Sequence, residues 1–198
     1  MTKTTNILAR AAMTLLLAVL CYAGALAQET RHEVAFTYGI ASNSQILNIY
    51  EDLVKAPFSG SASQEKDWWF GPISMEYFYH LSNRFSLGAI AVYGHKGSDL
   101  YENSTKRGEL SANYLSLLPG VKFSWWSNDY LGLYSKAAVG ITYRTEKVDA
   151  VNYSENEVRM NWQLSAIGFE GGSLRVRGFA ELGFGEQGIF FTGVRFKF

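Results

Sequence analysis

Two kinds of chemistry are open to the polar side chains of this sequence, nucleophilic and electrostatic. His80-Leu81-Ser82-Asn83 sets an imidazole two residues from a hydroxyl. A histidine can take the proton of a serine for attack on an ester when a carboxylate orients the ring. The next acids downstream are Asp99 and Glu102, far along the following hairpin, and Ser82-Asn83 has turn composition. The string therefore reads as a turn, with His80 at an interface. His95, with Ser98 and Asp99 beside it, reads as a solvated rim. The third histidine is His32. No glycine-rich phosphate loop, zinc-ligand spacing or EF-hand pattern occurs, and no cofactor is expected. The electrostatic candidates are Glu76 and Glu181 against Lys122, Lys136, Arg144, Arg159, Arg175, Arg177 and Arg195, which alternate with apolar neighbours. If one enclosed face carries them all, ion pairs must neutralise it. The expected network is Glu76, Lys136, Arg177, Glu181 and Arg195. Cations exceed acids in this set, and the sequence does not identify what balances them.

The elements that must position these residues are strands. The 198-residue chain is 47% hydrophobic, 15% aromatic and only 18% charged, with 18 basic and 18 acidic residues. Such a balance, without a basic tract, excludes a generic nucleic-acid binder, and the aromatic content disfavours a helical bundle. Period-two alternation recurs. Over 130–144, Leu131, Leu133, Ala137, Val139, Ile141 and Tyr143 share one face, against Gly132, Tyr134, Lys136, Ala138, Thr142 and Arg144. Segments 110–125, 158–169, 174–184 and 190–198 alternate likewise, and 33–41, 68–81 and 85–95 are further candidates. The spacing predicts eight strands. The connections 42–67, 96–109 and 145–157 read as long, and 82–84, 126–129 and 170–173 as tight turns. Gly185 to Gly188 is a short seventh connection that breaks the trend. In an up-and-down sheet, long loops then gather at one end and turns at the other. Strands of this length, with aromatic clusters such as Trp68-Trp69-Phe70 and Trp125-Trp126 near their ends, suit a tilted membrane crossing.

Residues 1–27 read as a secretory signal peptide. Lys3 and Arg10 precede the apolar run from Ala11 to Ala23, and Ala25-Leu26-Ala27 is a small-residue cleavage site. The apolar run is too short for a membrane-spanning helix. Leu20 before Cys21 is too large for a lipid-attachment site. Cleavage would remove two cations and the only cysteine, leaving 16 basic and 18 acidic residues in a single domain over 28–198. Such a chain is held by neither disulfides nor thiolate metal sites.

The last residues, Gly193-Val194-Arg195-Phe196-Lys197-Phe198, close the chain on an aromatic, with another two before it and a glycine five before it. Together with the eight strands, this terminus resembles the small eight-stranded outer-membrane barrels of the outer membrane protein A transmembrane-domain and outer membrane protein X type. The resemblance spans the whole mature chain. It implies an all-β, eight-stranded antiparallel up-and-down transmembrane barrel. It also implies that Gly193, Phe196 and Phe198 form the signal read by the barrel-assembly machinery. The partners implied are outer-membrane lipid and lipopolysaccharide, with an extracellular ligand or host surface at the loops, and the chain is expected to be monomeric. His80-Leu81-Ser82-Asn83 is also similar to the active-site string of the outer-membrane lipid A 3-O-deacylases, but the nearby glutamate of that family is missing. The turn also falls at the wrong end for the outer leaflet.

Within the first long loop, Ser44 to Lys55 reads as an amphipathic helix. Ile46, Ile49, Tyr50, Leu53 and Val54 share one side, and Pro57 ends it. The expected role is structural or surface-interacting, without catalysis. The alternatives are a barrel lipid A-modifying hydrolase, a small pore, and a secreted lipocalin-like barrel.

Overall fold

The computed structural model describes residues 31–46, 66–102, 105–148 and 153–198, with backbone alone at 66–68, 98–110, 148 and 153–155. The signal-peptide reading, and Tyr50 and Leu53 of the loop helix, lie outside the described residues.

Eight strands follow one another: β1 (His32–Ile40), β2 (Lys66–His80), β3 (Phe85–Glu102), β4 (Thr105–Ser127), β5 (Leu131–Val148), β6 (Tyr153–Gly172), β7 (Val176–Gly185) and β8 (Phe190–Lys197). Each pairs antiparallel with the next, and β1 pairs with β8 to close the barrel. Closure satisfies every ladder and leaves no edge within the ring. The seam is completed by reciprocal bonds, His32 N–H to Phe198 O at 2.8 Å and Phe198 N–H to His32 O at 2.9 Å.

One end of the barrel carries the tight turns. In each, a short polar side chain replaces the missing ladder partners. Ser82 Oγ accepts from Phe85 N–H, Asn128 Oδ1 accepts from Tyr130 and Leu131 N–H, and Ser173 Oγ accepts from Val176 N–H.

The opposite end differs from the long-loop expectation. Segments 96–109 and 145–157 are largely strand, with β3–β4 pairing out to Glu102↔Thr105 and β5–β6 to Val148↔Tyr153. Their polar residues lack alternation because a sheet wetted on both faces needs none. The β1–β2 ladder stops at Tyr38↔Ile73 and the β6–β7 ladder at Gln163↔Gly185. Five strands, β2 to β6, thus rise as a wall beyond the low rim of β7, β8 and β1. At about 3.3 Å per residue, the ten residues of β6 beyond its last rung with β7 carry that wall tens of ångströms outward.

The alternation sends apolar residues outward. Leu115, Leu117, Val139, Ile141, Met160 and Phe184 are all more than half exposed, whereas Glu33, Glu76, Lys122, Lys136, Glu181 and Arg195 are buried. The barrel is inside out relative to a water-soluble one. An apolar belt around a charged interior is stable where the solvent is lipid.

Candidate functional site

The interior is an ion-pair network centred on Arg195 of β8, which is wholly buried. Its guanidinium lies 3.5 Å from Glu33, 3.6 Å from Glu76 and 3.7 Å from Glu181, and it donates to Glu170. It also donates to Tyr134 Oη at 3.1 Å and stacks over the rings of Tyr134 and Phe179. Gly168 makes room for this stack, since a Cβ there would strike the Tyr134 ring. Around this centre, Lys136 Nζ meets Glu76 at 2.5 Å and Glu181 at 3.1 Å. Lys122 Nζ donates to both Glu33 oxygens at 2.6 and 2.7 Å. Arg177 and Lys197 both donate to Glu170, at 2.7 and 2.5 Å.

The five residues expected inside, Glu76, Lys136, Arg177, Glu181 and Arg195, all face the lumen. The acids that balance the excess cations are Glu33 and Glu170. Glu33 follows from the Glu33, Ala35, Thr37, Gly39 alternation of β1. Glu170 was hidden by a bulge in β6 between Ser165 and Ile167. The inward face there shifts from Asn161, Gln163 and Ser165 to Gly168 and Glu170. Arg144 and Arg159 instead stand on the wall, paired with Glu146 and Glu157 on their own strands, both at 2.6 Å. Arg175 is exposed at the turn end.

The wall end of the lumen is plugged by the β7–β8 connection, which folds inward. Gln187 Nε2 donates to Ser74 Oγ at 2.8 Å and to Glu76 at 2.6 Å. Among the described residues, Glu186 has no cation as a hydrogen-bond partner. Its carboxylate accepts from Ser44 Oγ at 2.7 Å, Asn161 Nδ2 at 2.8 Å and Ser116 Oγ at 3.0 Å. Burial pushes this carboxyl up from its ordinary value, and these hydrogen bonds oppose the shift. Ser44 belongs to a helical turn at 43–46, opened by a capping box. Ser42 N–H donates to Gln45 Oε1 at 2.9 Å and Gln45 N–H to Ser42 Oγ at 3.2 Å. The helix therefore starts one residue earlier than its apolar pattern implied, with Ser42 as its cap. Ile46 is 44% exposed at the end of the described segment.

His80 pairs with Ser86 rather than Ser82. Ser86 Oγ is 2.7 Å from His80 Nδ1, and His80 Nε2 is 3.1 Å from Glu33. The order Ser, His, Glu is that of a hydrolytic relay, but Ser86 is 2% exposed and Glu33 is already held by Lys122. Ser82 caps its turn. His95 Nδ1 lies 3.0 Å from Asn113 Oδ1 on the wall, and His32 stacks on Phe198. Among the described residues, no group of three or more His, Cys, Asp or Glu is placed to hold a metal ion.

No family model and no curated protein matches the chain. Solved structures similar to it include Ail, the attachment invasion locus protein of Yersinia pestis, at 13% identity and a TM-score of 0.45, covering 86% of this chain and 100% of that one. A second is the same protein in complex with the heparin analogue sucrose octasulfate, at 14% identity and a TM-score of 0.46, covering 85% and 97%.

Proposed function

We propose that the chain is exported, loses residues 1–27 and spans the outer membrane as a closed, plugged monomer whose work is surface interaction without catalysis. The wall end would face outward, towards lipopolysaccharide and an extracellular ligand or host surface, and the turn end would face the periplasm. The observation that carries this reading is the five-stranded wall. In the described residues, β2 pairs only with β3 above Ile73, and β6 only with β5 above Trp162. Among the described residues these two edges have no strand partner, and such an edge is a template for another chain. Gly193, Phe196 and Phe198 would serve as the assembly signal, in keeping with their place on the strand that closes the seam.

The test compares cells displaying the intact chain with cells displaying one in which residues 97–111 and 146–155 are each replaced by a short turn. Trimming should abolish adhesion to host cells or matrix while leaving the heat-dependent electrophoretic shift of a closed barrel. Equal adhesion by both would refute the reading. A hydrolase would release acyl chains from lipid A and lose that activity in Ser82→Ala. The expected outcome is no release by either protein.

A further inference from the structure

We propose that the mouth of the barrel at the turn end is a binding site for phosphate groups. Four residues stand immediately before β1, β3, β5 and β7: Arg31, Arg84, Tyr130 and Arg175. Their carbonyls occupy equivalent places, each accepting the last bond from the neighbouring strand. The donors are His80 N–H at 2.7 Å and Ser124, Gly172 and Lys197 N–H, each at 2.8 Å. Three of the four positions are arginine, and all three arginines are exposed. Each lies two residues before a buried, lumen-facing residue, Glu33, Ser86 or Arg177, and so stands at the turn-end rim.

The mouth is a basin of about 770 Å³, whose polar lining includes Arg31, His80, Arg177 and Lys197, and Arg84 and Arg175 follow its lining residues Asn83 and Leu174 in the chain without lining it themselves. Among the described residues, Asp129 is the one acid lining it. Glu170, just inside, is occupied by Arg177, Lys197 and Arg195. Arg177 is further fixed by donating to Asn128 O at 2.7 Å and Ser173 O at 3.3 Å. The floor is therefore an ordered cationic surface, the rim adds the guanidinium of Arg31, and Arg84 and Arg175 stand exposed beside it.

Guanidinium forks match the oxygens of phosphate. Arg175, Arg31 and Arg84 precede alternate strands, two strand spacings or about 10 Å apart. That separation suits a group presenting several phosphate oxygens, or two linked phosphates, better than a single carboxylate. Leu81 and Leu174 line the same basin and are exposed at 63% and 59%. A bound phosphate would thus sit beside an apolar surface, as a lipid headgroup does, although a soluble phosphate ester offers the same chemistry. This inference concerns the end opposite the wall and stands or falls independently of the surface-interaction reading.

The experiment uses the full chain in uncharged detergent, with pyrophosphate as probe and NMR of the His80 ring and arginine side chains as readout. Saturable shifts at His80, Arg31, Arg84 and Arg175 are expected, and high salt should weaken them. In the Arg31→Gln, Arg84→Gln, Arg175→Gln triple variant the affinity should fall about tenfold or more, with the heat-dependent mobility shift retained. Should the triple variant not fold, Arg31→Gln alone should weaken binding about threefold. Shifts that do not saturate, that persist unchanged in these variants, or that appear on the wall would overturn the proposal. Nanodiscs then separate the sources. Perturbation of the same resonances by phosphatidylglycerol over phosphatidylcholine identifies a lipid headgroup, and perturbation by pyrophosphate alone identifies a soluble ligand.

Discussion

Replacing Lys136 with methionine tests whether the lumen behaves as a dry ion-pair core. Lys136 Nζ is completely buried and donates to Glu76 at 2.5 Å and to Glu181 at 3.1 Å. A charge-assisted hydrogen bond contributes about 1.5–3 kcal/mol, so two represent about 3–6 kcal/mol. Methionine keeps the apolar stem beside Phe191 but removes the cation, 4.9 Å from that ring. Arg195 remains near both orphaned carboxylates, at 3.6 and 3.7 Å, and recovers part of the loss. The expected cost of Lys136→Met is therefore about 3–5 kcal/mol, the range for breaking one partner out of a buried pair. Adding Glu181→Gln removes one uncompensated charge, and the double variant should be about 2 kcal/mol less destabilised than Lys136→Met alone. Urea unfolding of the protein in lipid vesicles, followed by tryptophan fluorescence, measures both. A cost below about 1 kcal/mol, with strictly additive effects, would show a wet, screened lumen and refute the reasoning.

The plug carries a pH dependence. Because burial raises the Glu186 carboxyl, the closed turn favours its protonated form. Its contribution should be complete below the ordinary carboxylate value of 4.5 and be lost as pH rises through the raised one. Amide exchange at 186–189 should accelerate over that rise and become pH-flat, after correction for intrinsic rates, in Glu186→Gln; a native protein already flat would contradict this. Gly193 has a packing role besides any recognition role, since a Cβ there would run into the Phe36 carbonyl. Gly193→Ala should therefore impair refolding into vesicles that contain no assembly machinery, and normal refolding would leave recognition as its only role. Planar bilayers holding the native chain should stay silent, because Gln187 and Arg195 fill the lumen. Stepwise conductance that changes in Glu76→Gln would establish a pore.

Strand identity and facing were legible wherever one face meets lipid and the other the lumen, because that contrast imposes period two. Leu131 to Arg144 on β5 is the clearest stretch. Legibility failed where the contrast ends. The outward apolar face of β3 to β6 ends at the rung of Tyr93, Leu115, Tyr143 and Val158, so 96–109 and 145–157 beyond it carry no alternation and read as loops. It failed again at the β6 bulge, where one unpaired residue moves Glu170 to the inward face. The inward fold of Glu186 and Gln187 has no local pattern, since their partners Ser44, Ser74, Ser116 and Asn161 are distant in sequence. The capping box Ser42-Asn43-Ser44-Gln45 was present in the sequence but masked by an apolar stripe that begins later, at Ile46.

The placement of Arg195 and Lys197 on the last strand makes completion of the ion-pair network and closure a single event. Without β8, the four carboxylates Glu33, Glu76, Glu170 and Glu181 face, among the described residues, the three cations Lys122, Lys136 and Arg177, with His80 beside Glu33. Glu33 sits on β1 and Arg195 on β8, 3.5 Å apart across the seam. Docking β8 in the correct register brings Arg195 and Lys197 to these carboxylates and zips the final ladder together. A slip of one residue would turn Arg195 and Lys197 out into lipid. The charge pattern thus acts as a checksum on the final strand, read once, at the moment the cylinder shuts.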